Sequence, residues 1–327
     1  MNPIGLVSIQ AIYFKELEMS TQHKSNEEEL FLSGHRACHG CGMAVAVRHI
    51  LNATGKNVVV VTPTGCLETF TSPYGYSPWL VPWIHHLFEN GPSIASGIAA
   101  ALRAQKRDAV RVLVIGGDGS TFDIGFGALS GMLERGDDVL YICVDNGAYM
   151  NTGGQRSGAS PIYSSTTTDP AGRFSSGKLE MKKDLPAIIA AHGIPYVATA
   201  SVAYLKDLEK KVKKAMIFHG PRYIQIDTPC PTVWGFPSDH TLEVGRLGVQ
   251  SGLVPLFEME NGRISSVRKI KKIIPAEEYL KAQRRYKHLL STDEGHQAIE
   301  KIQALADQNI DRYGLLKTEA QGKERIQ

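Results

Sequence analysis

An α/β fold, with a parallel sheet covered by helices, is predicted by three features of the chain. Apolar runs alternate with segments of helical spacing from about residue 34 to 240. The runs are apolar at successive positions rather than alternate ones, the mark of strands buried on both faces. Glycine- and cysteine-bearing turns follow several of the runs, where open α/β sheets bind their ligands. Val58-Val59-Val60-Val61, Val112-Leu113-Val114-Ile115, residues 139–144 and Tyr223-Ile224-Gln225-Ile226 read as the strands. Residues 41–51, 92–102, 124–135 and 204–218 read as the helices between them. Small residues on two of these (Ala95, Gly97, Ala99 and Ala100; Gly125, Gly127 and Ala128) let a helix approach the sheet or a neighbouring subunit closely.

Residues 151–180 break the alternation with a polar run of small residues, a length that in a compact domain marks a functional or disordered loop. Beyond about 240 the chain becomes charged, as in Arg268-Lys269-Ile270-Lys271-Lys272, and reads as a helical C-terminal extension. Its charge runs fit a solvated face, with a subunit-wrapping arm as the alternative. Three segments result: an N-terminal extension over 1–30, a ligand-binding domain over 31–240 and a C-terminal extension or arm over 241–327. The first residues, Ile4-Gly5-Leu6-Val7-Ser8-Ile9, are mildly apolar but lack a basic leader and run into Lys15, Glu16 and Glu18, a poor signal peptide. Met19 opens a polar stretch and is a candidate start, which would leave 1–18 as a disordered or artefactual extension.

At 327 residues, 43% hydrophobic and 21% charged, the composition is that of a globular protein. A net charge of +3 without a basic, aromatic-studded stripe gives no case for nucleic acid. No apolar run approaches the ~20 residues needed to span a bilayer. The expected location is the cytoplasm, with no membrane partner. Five cysteines do not form a disulfide framework when four of them fit one site.

Those four are Cys38 and Cys41, as C-x-x-C inside Gly34-His35-Arg36-Ala37-Cys38-His39-Gly40-Cys41-Gly42, then Cys66 in Thr64-Gly65-Cys66 and Cys230 in Thr228-Pro229-Cys230-Pro231. Thiolates gathered from separate turns suit a tetrahedral metal or an iron–sulfur site better than a redox dithiol. Zinc and iron–sulfur both remain open on this pattern. Cys143, inside an apolar run, reads as a buried small hydrophobe.

The strand at 112–115 runs into Gly116-Gly117-Asp118-Gly119-Ser120, and the next strand ends in Asp145-Asn146. Glycine lets backbone N–H groups approach a diphosphate at a helix N-terminus. Asp118 and the Asn146 amide oxygen are hard ligands able to hold Mg²⁺ against that diphosphate, with a backbone carbonyl, for which Ala148 is the candidate, completing the protein's share. The plainer alternative is a tight βα turn with Asp118 as helix N-cap. A dinucleotide-binding reading is weaker, since no G-x-G-x-x-G follows an early strand, and a P-loop reading fails, since no Gly-Lys-Ser/Thr occurs.

This G-D-G…Asn pattern resembles the thiamine-diphosphate motif of enzymes that decarboxylate 2-oxo acids. With Asp123-Ile124-Gly125, Tyr149-Met150-Asn151-Thr152-Gly153, Gln155, Pro82-Trp83-Ile84-His85, Phe88-Glu89-Asn90 and Thr166-Thr167-Thr168, roughly residues 30–290 resemble the β subunits of the 2-oxoacid:ferredoxin oxidoreductase family. The resemblance implies oxidative decarboxylation of a 2-oxo acid, pyruvate most commonly, with coenzyme A accepting the acyl group and ferredoxin the electrons. 2-Oxoisovalerate, 2-oxoglutarate and oxalate are the alternative acids, and a zinc-stabilised binding subunit or a non-redox thiamine enzyme the alternative functions. It implies one [4Fe–4S] cluster on Cys38, Cys41, Cys66 and Cys230, and thiamine diphosphate with Mg²⁺ at Asp118, Asn146 and Ala148. Gly65, Cys66, Gly117, Gly119, Ser120, Asn151 and Thr152 would line the cofactor, with Asn151 meeting the substrate. Partner α, γ and δ-type subunits are implied too, one supplying the glutamate that activates thiamine, so Glu68 and Glu89 are left without that role. Gly153-Gly154 and Asn146-Gly147-Ala148 sit where the family varies, and the residues after Leu290 match nothing in it. His85 and His86 read as structural histidines, or as pocket lining.

Overall fold

The computed structural model describes residues 29–316, so the segment over 1–28, with its candidate start at Met19, lies outside the described residues. The elements in order are α1 (Gly42–Thr54), β1 (Val58–Pro63), α2 (Cys66–Thr71), β2 (Trp83–His86), α3 (Gly91–Ala104), β3 (Arg111–Gly117), a π-helical turn (Gly119–Ile124), α4 (Phe126–Glu134) and β4 (Val139–Asp145). A small hairpin, β5 (Ala171–Gly172) and β6 (Ser175–Ser176), interrupts the long polar loop. There follow α5 (Leu185–Ala190), β7 (Tyr196–Ser201), α6 (Leu205–Ile217), β8 (Arg222–Asp227), α7 (Pro231–Trp234), α8 (Thr241–Gln250), β9 (Phe257–Glu260), β10 (Arg263–Val267), α9 (Ala276–Lys281), a 3₁₀ turn (Arg284–Leu290) and α10 (Asp293–Tyr313).

Eight strands form one sheet in the order β10-β9-β7-β8-β4-β3-β1-β2. The six from β7 to β2 are mutually parallel, and β9 and β10 add antiparallel pairings at one edge. Successive residues of the central strands enter opposite cores, as the two-residue repeat of a strand requires. Val60, Leu113, Ile115, Leu140, Ile142 and Ile224 pack on one face with Val47 and Ile50 of α1 and Leu208 and Val212 of α6. Val61, Val112, Val114, Tyr141, Cys143 and Tyr223 pack on the other with Ala95 of α3, Leu129 of α4 and Ile189 of α5. Cys143 is fully buried there, as its run predicts.

Four strands of the main sheet depart from the sequence reading. Residues 83–86 carry a motif but also form edge strand β2, and β7 lies between recognised elements. The C-terminal extension is helical as expected, yet between its helices it contributes β9 and β10 to the sheet. The helix expected from Ile124 begins at Phe126, because the π-helical turn intervenes. A Cβ on Gly125 would lie 2.3 Å from the Ser120 carbonyl oxygen, so only glycine permits that junction.

The extension also forms a third core. Tyr279, Leu280, Tyr286, Leu289, Ala298 and Ile302 close over Ala148, Met150 and Trp234, clamping the turn that follows β4. Its long helix α10 starts at Thr292, whose side chain accepts from the Gly295 N–H at 3.0 Å, and carries Asp293 and Glu294 in its first turn, where the helix dipole favours negative charge.

Candidate active site

The carboxyl ends of β1, β3, β4 and β8 deliver the candidate residues to one side of the sheet. Gly65 and Cys66 follow β1, Asp118 follows β3, Asn146 follows β4 and Cys230 follows β8. Cys38 and Cys41 arrive on the loop that enters α1. Two glycines let that loop meet the chain on either side of α7. A Cβ on Gly40, at φ +70°, would stand 1.9 Å from the Ser238 carbonyl oxygen, and one on Gly42 would stand 3.0 Å from that of Pro229. Backbone thus approaches backbone, and the sulfurs of Cys41 and Cys230 are brought to the same space.

All four cysteines line one cavity of about 320 Å³, together with Asn146, Asn151, Thr69 and Thr228. Among the described residues no three His, Cys, Asp or Glu side chains converge closely enough to hold a single ion; the cysteines surround a space instead. Cys38 is exposed and the other three are half-buried. Burial raises the thiols of Cys41 and Cys230 above their ordinary range and pushes Cys66 up to about 12. Neighbouring thiols add to the rise at each. Backbone N–H groups of Met43 and Ala44 oppose it at Cys41, and those of Thr232 and Val233 at Cys230. Cys41 and Cys230 are helix N-cap residues, so the first N–H groups of α1 and α7 face an incipient thiolate.

Asp118 occupies the N-cap position of the π-helical turn, but its side chain makes no capping hydrogen bond and is spent elsewhere. It is 1% exposed, and its Oδ2 accepts from Ser157 Oγ at 2.5 Å. Burial and the charge of Asp145 hold its carboxyl well above the usual range, with the Ser157 bond opposing them. The Asn146 side-chain amide stands 2.9 Å from Asp118 Oδ1 and 3.0 Å from the Ala148 carbonyl oxygen. With its nitrogen toward them it donates to both. With its oxygen toward them, three oxygens converge as the ligands of a hard cation do. Asn146 also lines the cysteine cavity, and its own carbonyl accepts from Trp234 Nε1 at 2.8 Å.

The glycines serve different ends here. A Cβ on Gly119 would lie 2.4 Å from the Tyr149 ring, whereas one on Gly117 or Gly65 would meet nothing within 4 Å. Gly117 and Gly65 therefore leave open space. The Gly117 carbonyl accepts from Ser120 Oγ at 2.9 Å and Thr121 Oγ1 at 2.6 Å, which fixes the turn. Asn151 is exposed and donates to Thr69 Oγ1 at 3.1 Å, at the rim of the cavity. Thr152 is exposed and bonds Gln155 and the Tyr149 carbonyl. His85 bonds Thr64 Oγ1 at 3.0 Å and stands 3.9 Å from Glu68, while His86 bonds Asn90 at 2.9 Å. Sequence reasoning missed Ser157, Thr69 and Trp234. A lone serine 39 positions beyond Asp118 carries no local signal that the two meet.

The fold agrees with what the chain is similar to. Residues 63–226 match the family described as thiamine pyrophosphate enzyme, C-terminal TPP binding domain. The chain is 53% identical over 293 residues to pyruvate synthase subunit PorB of Methanosarcina barkeri, covering 89% of this chain and 99% of that one. It is 45% identical over 273 residues to ketoisovalerate oxidoreductase subunit VorB of Pyrococcus abyssi, covering 81% and 88%. Among solved structures it is similar to 2-oxoglutarate:ferredoxin oxidoreductase from Magnetococcus marinus, solved with 2-oxoglutarate, coenzyme A and succinyl-CoA bound. The TM-score is 0.54 at 26% identity, over 64% of this chain and 70% of that one.

Proposed function

The chain belongs to the pyruvate synthase PorB family of thiamine-pyrophosphate-dependent 2-oxoacid:ferredoxin oxidoreductase subunits, and on that footing we propose that it serves the oxidative decarboxylation of pyruvate, holding thiamine diphosphate, Mg²⁺ and one [4Fe–4S] cluster. The carrying observation is that four cysteines from three separate segments line one cavity that also touches Asn146, beside the Asp118–Asn146–Ala148 oxygens.

Fit supports each group. Four thiols around a cavity suit a cluster, whereas a zinc ion needs all four sulfurs about 2.3 Å from one point. A buried carboxyl raised by a neighbouring acid gains most from a divalent cation, and Asp118 has its second oxygen occupied by Ser157 so that Oδ1 is left for the metal. The open backbone at Gly117 is room for a diphosphate at the strand end.

When bound, thiamine diphosphate supplies the carbanion chemistry that cleaves a 2-oxo acid between its carbonyl and carboxylate, and the cluster supplies one-electron transfer. The chain's own residues position these groups. Asp118, Asn146 and the Ala148 carbonyl would hold the metal, Ser157 orients Asp118, and Tyr149 walls the turn through Gly119. Asn151 would turn its amide from Thr69 toward the carboxylate or carbonyl oxygen of the substrate. Partner subunits of α, γ and δ type would complete the enzyme in the cytoplasm, passing electrons to ferredoxin and admitting coenzyme A. The helix α3, whose Gly97 meets nothing within 4 Å, is the proposed contact surface. Among the described residues no helix is long and apolar enough to cross a membrane.

The test is anaerobic isolation of the complex from its native host, with iron and sulfide analysis and dye reduction by a panel of 2-oxo acids. About four irons assigned to these cysteines and fastest reduction with pyruvate are expected. Fastest reduction with 2-oxoisovalerate would overturn the substrate, and zinc in place of iron would overturn the cluster. The chain reconstituted alone should show no turnover until its partners are added.

A further inference from the structure

A second cavity, of about 370 Å³, lies beyond the carboxyl ends of β4, β7 and β8, under the C-terminal extension. This volume is at the small end of those that hold organic ligands. Its walls divide by chemistry. Leu253, Val254, Leu280, Ile302 and Leu305 supply an apolar side, and Asp145, Lys182, Gln225, Asp227 and Arg285 a polar one.

Not every charge on the wall is held in an ion pair: Asp227 and Arg285 feel each other's field, yet among the described residues neither forms a contact pair. Lys182 pairs with Asp145, Lys183 with Asp123 at 2.9 Å and Arg312 with Asp184 at 2.8 Å. Among the described residues Arg285 enters no ion pair. It is 6% exposed and lies with its guanidinium 3.7 Å over the Trp234 ring, while its Nε donates to Gln283 Oε1 at 2.8 Å. Its Nη2 is buried without any hydrogen-bond partner. A buried charged donor left unpaired costs several times what a typical hydrogen bond contributes, so this is a position that calls for an acceptor. A guanidinium takes a carboxylate in two parallel bonds more readily than it takes any neutral acceptor.

From the unpaired Arg285, the size of the cavity and its apolar far wall, we infer that this chain carries a second binding site, distinct from the cofactor site, for a small aliphatic carboxylate whose head group meets Arg285 and whose hydrocarbon tail lies against Leu280, Ile302 and Leu305. The apolar wall argues against a bare inorganic anion, which would leave it uncovered. The site also adjoins the turn that carries the cation ligands. Gly147 lines the cavity, and a Cβ on it would lie 3.3 Å from Arg285 Nη1. Trp234, beneath the guanidinium, donates to the Asn146 carbonyl. An occupant that draws on Arg285 therefore bears on both flanks of Asn146, which gives the site the position of an effector pocket.

The experiment titrates 3-methylbutanoate, which has no 2-oxo group and cannot be turned over, into the full-length chain in its complex, by calorimetry and by tryptophan fluorescence. Inorganic phosphate is the comparison probe. Saturable binding of the carboxylate is expected, at least tenfold weaker in Arg285→Gln and in Leu305→Trp, which fills the cavity and leaves the arginine in place. Phosphate should bind at least tenfold more weakly than the carboxylate. Absence of saturable binding to the wild-type protein would overturn the inference. So would equal affinity for phosphate, or binding that Leu305→Trp leaves unchanged. Should Arg285→Gln fail to fold, the Leu305→Trp variant and the phosphate comparison still decide. None of these outcomes depends on which 2-oxo acid the enzyme consumes.

Discussion

Asp118, Asn146 and Ala148 are 1%, 6% and 4% exposed, fixed at the ends of adjacent parallel strands, whereas Cys38 is exposed and Cys41, Cys66 and Cys230 are half-buried on separate turns. The first group is placed by the sheet itself, through the register that sets Gly117 beside Val144. The second depends on a loop contact between Gly40 and Ser238, far apart in sequence. Asn146 belongs to both, as a cation-ligand candidate and as lining of the cysteine cavity. The cation end is therefore independent of the Gly40–Ser238 contact, and the cysteine end can be dismantled without touching a sulfur.

The largest effects should separate the two ends outright. Asp118→Asn removes the cation site's carboxylate and should weaken Mg²⁺–thiamine diphosphate by at least ~100-fold in calorimetric titration, beyond what loss of a merely supporting group costs. Asn146→Ala should act in the same direction by removing a second oxygen. Iron content should survive in Asp118→Asn. Cys38→Ser and Cys230→Ser should do the reverse, abolishing the paramagnetic signal of the reduced cluster while diphosphate affinity holds, and Cys143→Ser should change neither. Full signal in both ligand variants would end the assignment.

A smaller but more pointed change is Gly40→Ala. The left-handed backbone there costs an alanine about 1–2 kcal/mol, and its Cβ would collide with the Ser238 carbonyl, so the C-x-x-C loop must withdraw from the segment that follows α7. All four thiols remain, yet cluster content should fall sharply while Asp118-dependent cofactor binding stays. Wild-type iron content in this variant would mean that the loop contact does not gather the sulfurs. Smaller again is Asn151→Ala, which should spare both cofactors and lower turnover by roughly 10–100-fold, the loss of one hydrogen bond to a charged group. Unaltered turnover with pyruvate would remove Asn151 from the substrate's path.

How far the sequence reveals these ends follows the same division. The central strands were legible because burial on both faces leaves no polar residue to interrupt Val58-Val59-Val60-Val61 or residues 139–144. Strand β2 was not, because an edge strand with exposed Ile84 and His85 shows neither an apolar run nor a clean alternation. Strand β7, Tyr196–Ser201, hides for another reason: it is wholly buried but built of small and hydroxyl residues, with Thr199 satisfied by the Pro255 carbonyl. The candidate cation ligands Asp118 and Asn146 are readable since each directly follows a recognisable strand. Ser157 is not, since its loop is folded back by bonds from Lys178 to the carbonyls of Ser160, Glu180 and Met181 that no local pattern announces.

The smallest predicted effect concerns the far side of the β4–β8 junction, and it tests whether burial of charge beside the cation end is a cost the fold carries. Asp227, half-buried, sits among Asp145, Lys182, Ser201 and Arg285. Burial and the Asp145 charge push its carboxyl up to about 7, against partial relief from Lys182, the Ser201 hydroxyl and Arg285. In the unfolded chain the same carboxyl titrates near 4. Between those values the folded protein holds a proton that the unfolded chain has lost, so unfolding releases it and stability falls as pH rises. The contribution is fully present below about pH 4, is lost through the window up to 7, and levels off above it. Asp227→Asn, which keeps an oxygen for Ser201 and cannot ionise, should flatten that slope and melt a few degrees above wild type at pH 8, with a smaller difference at pH 5 that vanishes below about pH 4. Thermal unfolding of the cofactor-free chain at the two pH values measures this directly. An Asn variant that loses stability equally at both would show that the Asp227 carboxylate is stabilised by its cationic neighbours, not strained by its burial.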